Sequence, residues 1–171
     1  MLIRPFEEAR DSYERLTQLL NAAYRRLADM GLNYVAATQD AEITRRRVGL
    51  ASRCFVACDD AGNVVGTIGY YSASRGEHGP AWYERADVGH FGQFAVSPDL
   101  QGSGIGSALL AAVEAEAVAE GKAELSCDTA EPAKHLFEYY GKLGFRAVGR
   151  HRWPHARYES VILSKTLKEA R

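Results

Sequence analysis

A chain of 171 residues with 46 % apolar and 25 % charged side chains has the size and composition of one folded domain with a substantial core. Its formal net charge of −1 supplies no field for nucleic acid, and no apolar run approaches the roughly 20 residues of a membrane span. Met1 to Pro5 lead straight into a polar segment rather than a signal-peptide core, so the expectation is a single cytoplasmic domain over residues 1–171.

In chain order, Leu2 to Phe6 reads as a first strand. Asp11, with Glu14 three places on, has the form of a helix start, and Leu16, Leu19, Leu20, Ala23, Tyr24 and Leu27 then recur on one face until Met30 and Gly31. Thr38 to Val48 predicts a second helix with Arg45 to Arg47 near its C-terminal end, where cations suit the dipole. Arg53 to Cys58 and Val64 to Ser72 flank the turn-forming Asp59 to Asn63 and read as an antiparallel hairpin. Ala73 to Ala86 is a loop whose Trp82 and Tyr83 either cover the core edge or wall a pocket.

Asp87 to Val96 is β-rich and stops at Ser97 and Pro98. The helix that follows, from Gly104 to Glu120, ends at Gly121. Lys122 to Cys127 alternates as a strand, Pro132 suits the first turn of a helix over Ala133 to Leu143, and Phe145 to Gly149 and Tyr158 to Leu163 supply two closing strands. The order β–α–α–β–β–β–α–β–α–β–β predicts a mixed sheet with helices packed on it.

The three cysteines, 54, 58 and 127, contain no CxxC pair and predict reduced, buried thiols. Of the five histidines, His151 and His155 are four apart, but Trp153 and Pro154 between them oppose a helical metal site, and no metal is expected. Two local basic groups, Arg45 to Arg47 and Arg146, Arg150, His151, Arg152 and Arg157, read as solvated surface or as contacts to an anionic ligand.

The chemically purposeful stretch is QGSGIGS, Gln101 to Ser107, between a strand and an amphipathic helix. Glycines at 102, 104 and 106 let the backbone turn and approach a ligand, while the helix start offers unpaired N–H groups and the positive end of its dipole. A phosphate fits there. The P-loop lysine is missing, and Ser107 stands where a dinucleotide fingerprint needs its last glycine, so both familiar nucleotide motifs are disfavoured.

At Gln101, Gly104 and Gly106 the chain resembles the GCN5-related N-acetyltransferase (GNAT) family, whose pyrophosphate motif is Q/R-x-x-G-x-G/A. A second match, Tyr140, Gly144 and Phe145 in YGKLGF, follows the family's Y-x-x-x-G-F at the expected distance. The resemblance covers almost the whole chain and is strongest from Asp87 to Phe145. It implies an α/β (α+β) fold with a mixed, mostly antiparallel sheet of six to seven strands and about four helices. It also implies acetyl-CoA as co-substrate. Phe94, Ala95 and Val96 would contact pantetheine, and Gln101, Gly102, Ser103, Gly104, Ile105, Gly106 and Ser107 the pyrophosphate.

Transfer from a thioester to an amine needs a proton removed from the amine and one given to the leaving thiolate. The resemblance assigns the second task to Tyr140, whose phenol, with a reference pKa of about 10, is protonated at neutral pH. Leu136, Phe137, Tyr140 and Leu143 equally form an ordinary packed face, and Tyr139 is the neighbouring alternative. His90 occupies the strand where some relatives carry a catalytic glutamate, and its reference pKa of about 6.5 suits a base; a structural histidine fits the same position. Asp87, Glu84 and Glu42 are competing carboxylates. Strict alternation places His90, Gly92, Phe94 and Val96 on one face.

The expected activity is direct N-acetylation of a small-molecule amine or a protein amino group, without nucleic acid or membrane, by a possible homodimer. A non-catalytic acetyl-CoA sensor of the same fold is the alternative.

Overall fold

The computed structural model of the chain describes residues 1–72 and 79–167. Its elements are β1 (Leu2–Pro5), α1 (Tyr13–Asp29), α2 (Ala41–Leu50), β2 (Arg53–Cys58), β3 (Val64–Tyr71), β4 (Val88–Val96), α3 (Ile105–Ala119), β5 (Glu124–Ala130), α4 (Lys134–Lys142), β6 (Arg146–His151) and β7 (Ser160–Thr166). The strands form a seven-stranded sheet in the order β1-β2-β3-β4-β5-β7-β6. β4 and β5 run parallel, while β1–β2, β2–β3, β5–β7 and β6–β7 are antiparallel. The expected mixed α/β architecture with four helices is therefore present.

Two compact units divide the chain, Met1–Tyr71 with Gly92–Val113, and Ser72–Phe91 with Glu114–Arg171. In the first, Leu16 and Leu20 of α1 pack with Ala36, Val56, Cys58 and Ala95. Burying each of those leucines contributes about 1.5–3 kcal/mol. α3 begins against this unit's strands because Gly66 of β3 leaves room: a Cβ there would stand 2.9 Å from Leu109 Cδ1, 3.0 Å from Ile105 Cγ2 and 3.3 Å from the Ala95 carbonyl oxygen. In the second unit, Leu125 and Cys127 of β5 and Ile162 and Leu163 of β7 are buried, and Phe91, Tyr140 and Phe145 form an aromatic cluster.

Several boundaries differ from the sequence expectation for local reasons. α1 is capped by Ser12, whose Oγ accepts from the Arg15 amide at 3.2 Å and donates to Glu14 Oε2 at 2.8 Å. Asp11 is unavailable as a cap because the Arg4 guanidinium takes both its oxygens, at 2.7 and 2.8 Å. α2 starts only at Ala41, since Asp40 is its cap and accepts from the Ile43 amide at 2.8 Å. Pro132 precedes α4 rather than lying in its first turn, with Ala133 at the N-cap. β5 runs on to Ala130 because β7 pairs with it over its whole length, up to Ala130 against Ser160. Of the predicted loop Ala73 to Ala86, residues 73–78 lie outside the described residues.

Candidate active site

In the first unit, β4 ends at Val96, the chain turns through Pro98–Leu100, and α3 starts at Ile105. Gln101, Gly102, Ser103, Gly104 and Ser107 are exposed, Gly106 is half-buried, and the buried Ile105 anchors the turn. Gly102 and Gly104 adopt φ +82° and +88°, the left-handed region that side chains strain to enter, and nothing approaches within 4 Å of a Cβ built on either. The constraint on them is therefore conformational rather than steric. The first backbone bond into α3 runs from the Ala108 amide to the Gly104 carbonyl at 3.0 Å, which leaves the amides of Ile105, Gly106 and Ser107 without a helical acceptor. No acidic residue lies in the first turn. Such a donor set fits a phosphate or pyrophosphate oxygen.

Immediately before this turn, β4 carries a distortion that sequence reading missed. Gln93 has φ 51°, the sole positive φ at a non-glycine residue among those described. Its side chain is buried, and its Oε1 accepts from Gln39 Nε2 at 3.1 Å. Gln39 also donates to Thr44 Oγ1 at 2.7 Å and accepts from Arg47 Nη1 at 2.8 Å, and Thr44 meets the Thr17 hydroxyl at 2.6 Å. This network, which ends on the Arg47 guanidinium, holds Gln93 in place. Face assignments made by strict alternation do not carry across such a residue: His90 on one side is buried, whereas Phe94 and Val96 on the other are half-buried, with Ala95 buried between them.

In the second unit, Tyr140 lies on α4 and is 8 % exposed. Its ring centroid is 6.0 Å from Phe91, 5.5 Å from Phe145 and 5.2 Å from Tyr139. Burial pushes the Tyr139 phenol above its ordinary value. His90 pairs with Ser126 across β4 and β5, is 1 % exposed, and stacks on Tyr83 with centroids 4.0 Å apart. Tyr83 thus belongs to the core, while Trp82 is half-buried and donates to Ser164 Oγ at 3.2 Å.

The competing carboxylate Asp87 is held by Arg85 at 2.6 and 3.0 Å, and that pairing keeps it below the usual carboxylate range. Two of the candidate phosphate-binding cations are committed within their own unit, Arg146 to Glu124 and Arg150 to Glu131 and Glu159. Arg45 pairs with Glu8 and lies over the Tyr13 ring. The backbone amides of the glycine turn, by contrast, are donors without a helical acceptor.

All three cysteines are buried. Burial drives the Cys127 thiol well above its ordinary value, with Asp128 adding to the effect, and pushes Cys54 up to about 11. Neither suits a nucleophile. Asp128, absent from the sequence-based candidates, is the single half-buried residue of an otherwise buried β5. Its Oδ1 accepts from the Tyr83 hydroxyl at 3.2 Å and its Oδ2 from Trp153 Nε1 at 2.9 Å.

Comparison with known proteins adds family and fold. The model of the acetyltransferase (GNAT) family matches residues 34–145. Among solved structures, an aminoglycoside 6'-acetyltransferase type Ii is similar over 100 % of both chains, with 18 % identity and a TM-score of 0.71. The ribosomal-protein-S18-alanine N-acetyltransferase from Escherichia coli is similar over 99 % of this chain and 96 % of its own, with 16 % identity and a TM-score of 0.70. An aminoglycoside 6'-N-acetyltransferase complexed with coenzyme A is similar over 100 % of this chain and 99 % of its own, with 16 % identity and a TM-score of 0.66. A search of the curated proteins found no match.

Proposed function

Since the chain belongs to the acetyltransferase (GNAT) family, we propose that it moves the acetyl group of acetyl-CoA directly to an amine, as a single domain over residues 1–171. The observation that carries this reading is the exposed turn with left-handed Gly102 and Gly104 ahead of three α3 amides that lack helical acceptors. Gln101 to Ser107 hold the pyrophosphate through those amides, and the backbone of Phe94, Ala95 and Val96 lies along the pantetheine.

The amine nitrogen attacks the thioester carbonyl carbon, the C–S bond breaks, and Tyr140 gives its phenolic proton to the departing thiolate. The proton lost by the amine goes to His90. Buried and stacked on Tyr83, His90 takes it through ordered water rather than by direct contact. Transfer is direct because the raised Cys127 thiol supplies little thiolate for an acyl-enzyme. The acceptor is a small-molecule amine or a protein amino group, the two kinds named for the similar structures.

The test is a panel of amines assayed for free thiol release from acetyl-CoA. Tyr140→Phe keeps the ring and removes the hydroxyl, and is expected to lower kcat about 100-fold. Unchanged turnover across pH in that variant removes Tyr140 from the mechanism. His90→Ala should lose rate mainly near neutral pH; a wild-type pH profile assigns His90 to packing. Coenzyme binding without turnover of any amine would make the chain a sensor.

A further inference from the structure

Asp128 has surroundings that the transfer chemistry described above does not use. Every other residue of β5 is buried, whereas Asp128 is half-buried and opens toward solvent. Both its carboxylate oxygens are oriented by neutral aromatic donors, Oδ1 by the Tyr83 hydroxyl at 3.2 Å and Oδ2 by Trp153 Nε1 at 2.9 Å. Each donor is itself fixed: Tyr83 is 1 % exposed and stacked on His90, and Trp153 lies edge-on to His151 with centroids 4.8 Å apart. Among the described residues no Lys or Arg pairs with Asp128, although Glu124, Glu131 and Glu159 of the same unit all have arginine partners.

A half-buried carboxylate loses part of its hydration, and two neutral hydrogen bonds restore that loss only in part. Each oxygen keeps acceptor capacity after its bond to Tyr83 or Trp153. A cation brought to this position completes the carboxylate's coordination through a charge-assisted hydrogen bond, which a neutral group makes more weakly.

We propose that Asp128, framed by Tyr83 and Trp153, is the binding residue for an ammonium group of the acceptor, so that the acceptors taken are cationic aliphatic amines rather than anionic or uncharged ones. This rests on the transferase reading for what the amine is bound for, but binding itself can be read without turnover. Trp82 and Trp153 are the two tryptophans of the chain, and Trp153 touches the carboxylate in question, so intrinsic fluorescence reports on the site.

The experiment titrates the full chain with 1,5-diaminopentane, 6-aminohexanoate and 1,5-pentanediol, with and without coenzyme A, and measures acetyl-CoA affinity separately by calorimetry. The diamine should give a saturable fluorescence change and the diol none. Asp128→Asn retains an oxygen for Trp153 and an amide that the Tyr83 hydroxyl can accept from, so it removes the charge and keeps the frame. It should weaken diamine binding, and raise the KM of any diamine turned over, tenfold or more, with acetyl-CoA affinity unchanged.

Equal diamine binding by Asp128→Asn and wild type overturns the proposal. So does a loss seen in Asp128→Ala but absent in Asp128→Asn, which would make the residue a pin for Trp153 alone. A wild-type chain that binds no cationic amine overturns it as well. Failure of the wild type to bind acetyl-CoA defeats the transferase reading instead, and leaves a charge-dependent diamine response standing as support for the amine site.

Discussion

In the unit formed by Met1–Tyr71 and Gly92–Val113 the groups proposed to meet a ligand are backbone amides of an exposed glycine turn, whereas in Ser72–Phe91 with Glu114–Arg171 they are side chains. The first unit fixes its amides through conformation: φ +82° and +88° at Gly102 and Gly104, and φ 51° at Gln93 held by Gln39. The second fixes Tyr140 and Asp128 through packing and hydrogen bonds from aromatic neighbours. In the proposed function, conformation would read the part of the ligand that never varies, a phosphate. Side chains would read the part that can differ between enzymes of one fold.

The sharpest way to break this contrast is a substitution that alters backbone conformation without meeting any neighbour. Gly104→Val adds a β-branched side chain into open space but at φ +88°, so the strain is purely conformational. Acetyl-CoA affinity by calorimetry should fall roughly 10- to 100-fold, the equivalent of about 1–3 kcal/mol of strain. Diamine fluorescence through Trp153 should be untouched. An unchanged affinity would show that the amides do not need that turn.

A smaller effect is expected from the hydrogen-bond network behind Gln93. Thr44→Val leaves Gln39 Nε2 without one of its two acceptors and Thr17 without its hydroxyl partner. The cost should be about 1–3 kcal/mol, read as a lowered Tm of roughly 2–4 °C for each kcal/mol in a chain of this size. A Tm equal to wild type would mean that the network is dispensable.

The smallest effect separates the second unit by pH. Burial alone would raise the Glu124 carboxyl, but Arg146, Ser164 and Thr166 together outweigh it and hold it below the usual range. A carboxylate depressed in the folded state stabilises fully above its unfolded pKa of about 4.3, and that contribution is lost as pH falls through the lower folded value. The wild type should therefore lose more Tm between neutral and acidic pH than Glu124→Gln. Arg146 is half-exposed, so salt should shrink the difference. Parallel Tm curves for the two proteins would remove Glu124 from the acid response.

Much of the fold was legible because its signals are local. The α1 leucines, the turn at Asp59 to Asn63 and the stop at Ser97 and Pro98 each act within a few residues. The helix start at Asp11 was misread for a nonlocal reason: Arg4, seven residues away, claims the carboxylate, and Ser12 becomes the cap. The glycine turn was legible since its conformation demands glycine. Asp128 was not, because Tyr83 lies 45 residues before it and Trp153 lies 25 after it, and no periodicity in β5 marks their convergence.

By itself, the sequence determined the order of elements, the glycine turn and the YGKLGF motif, since backbone preference and hydrophobic period are written residue by residue. Tertiary structure alone decided that Gly66 must stay small for α3 to close on β3, that Gln39 holds a left-handed Gln93, and that Asp128 stands between two aromatic donors. Those depend on atoms brought together from distant parts of the chain, and the energy of such a contact exists only once both sides are in place.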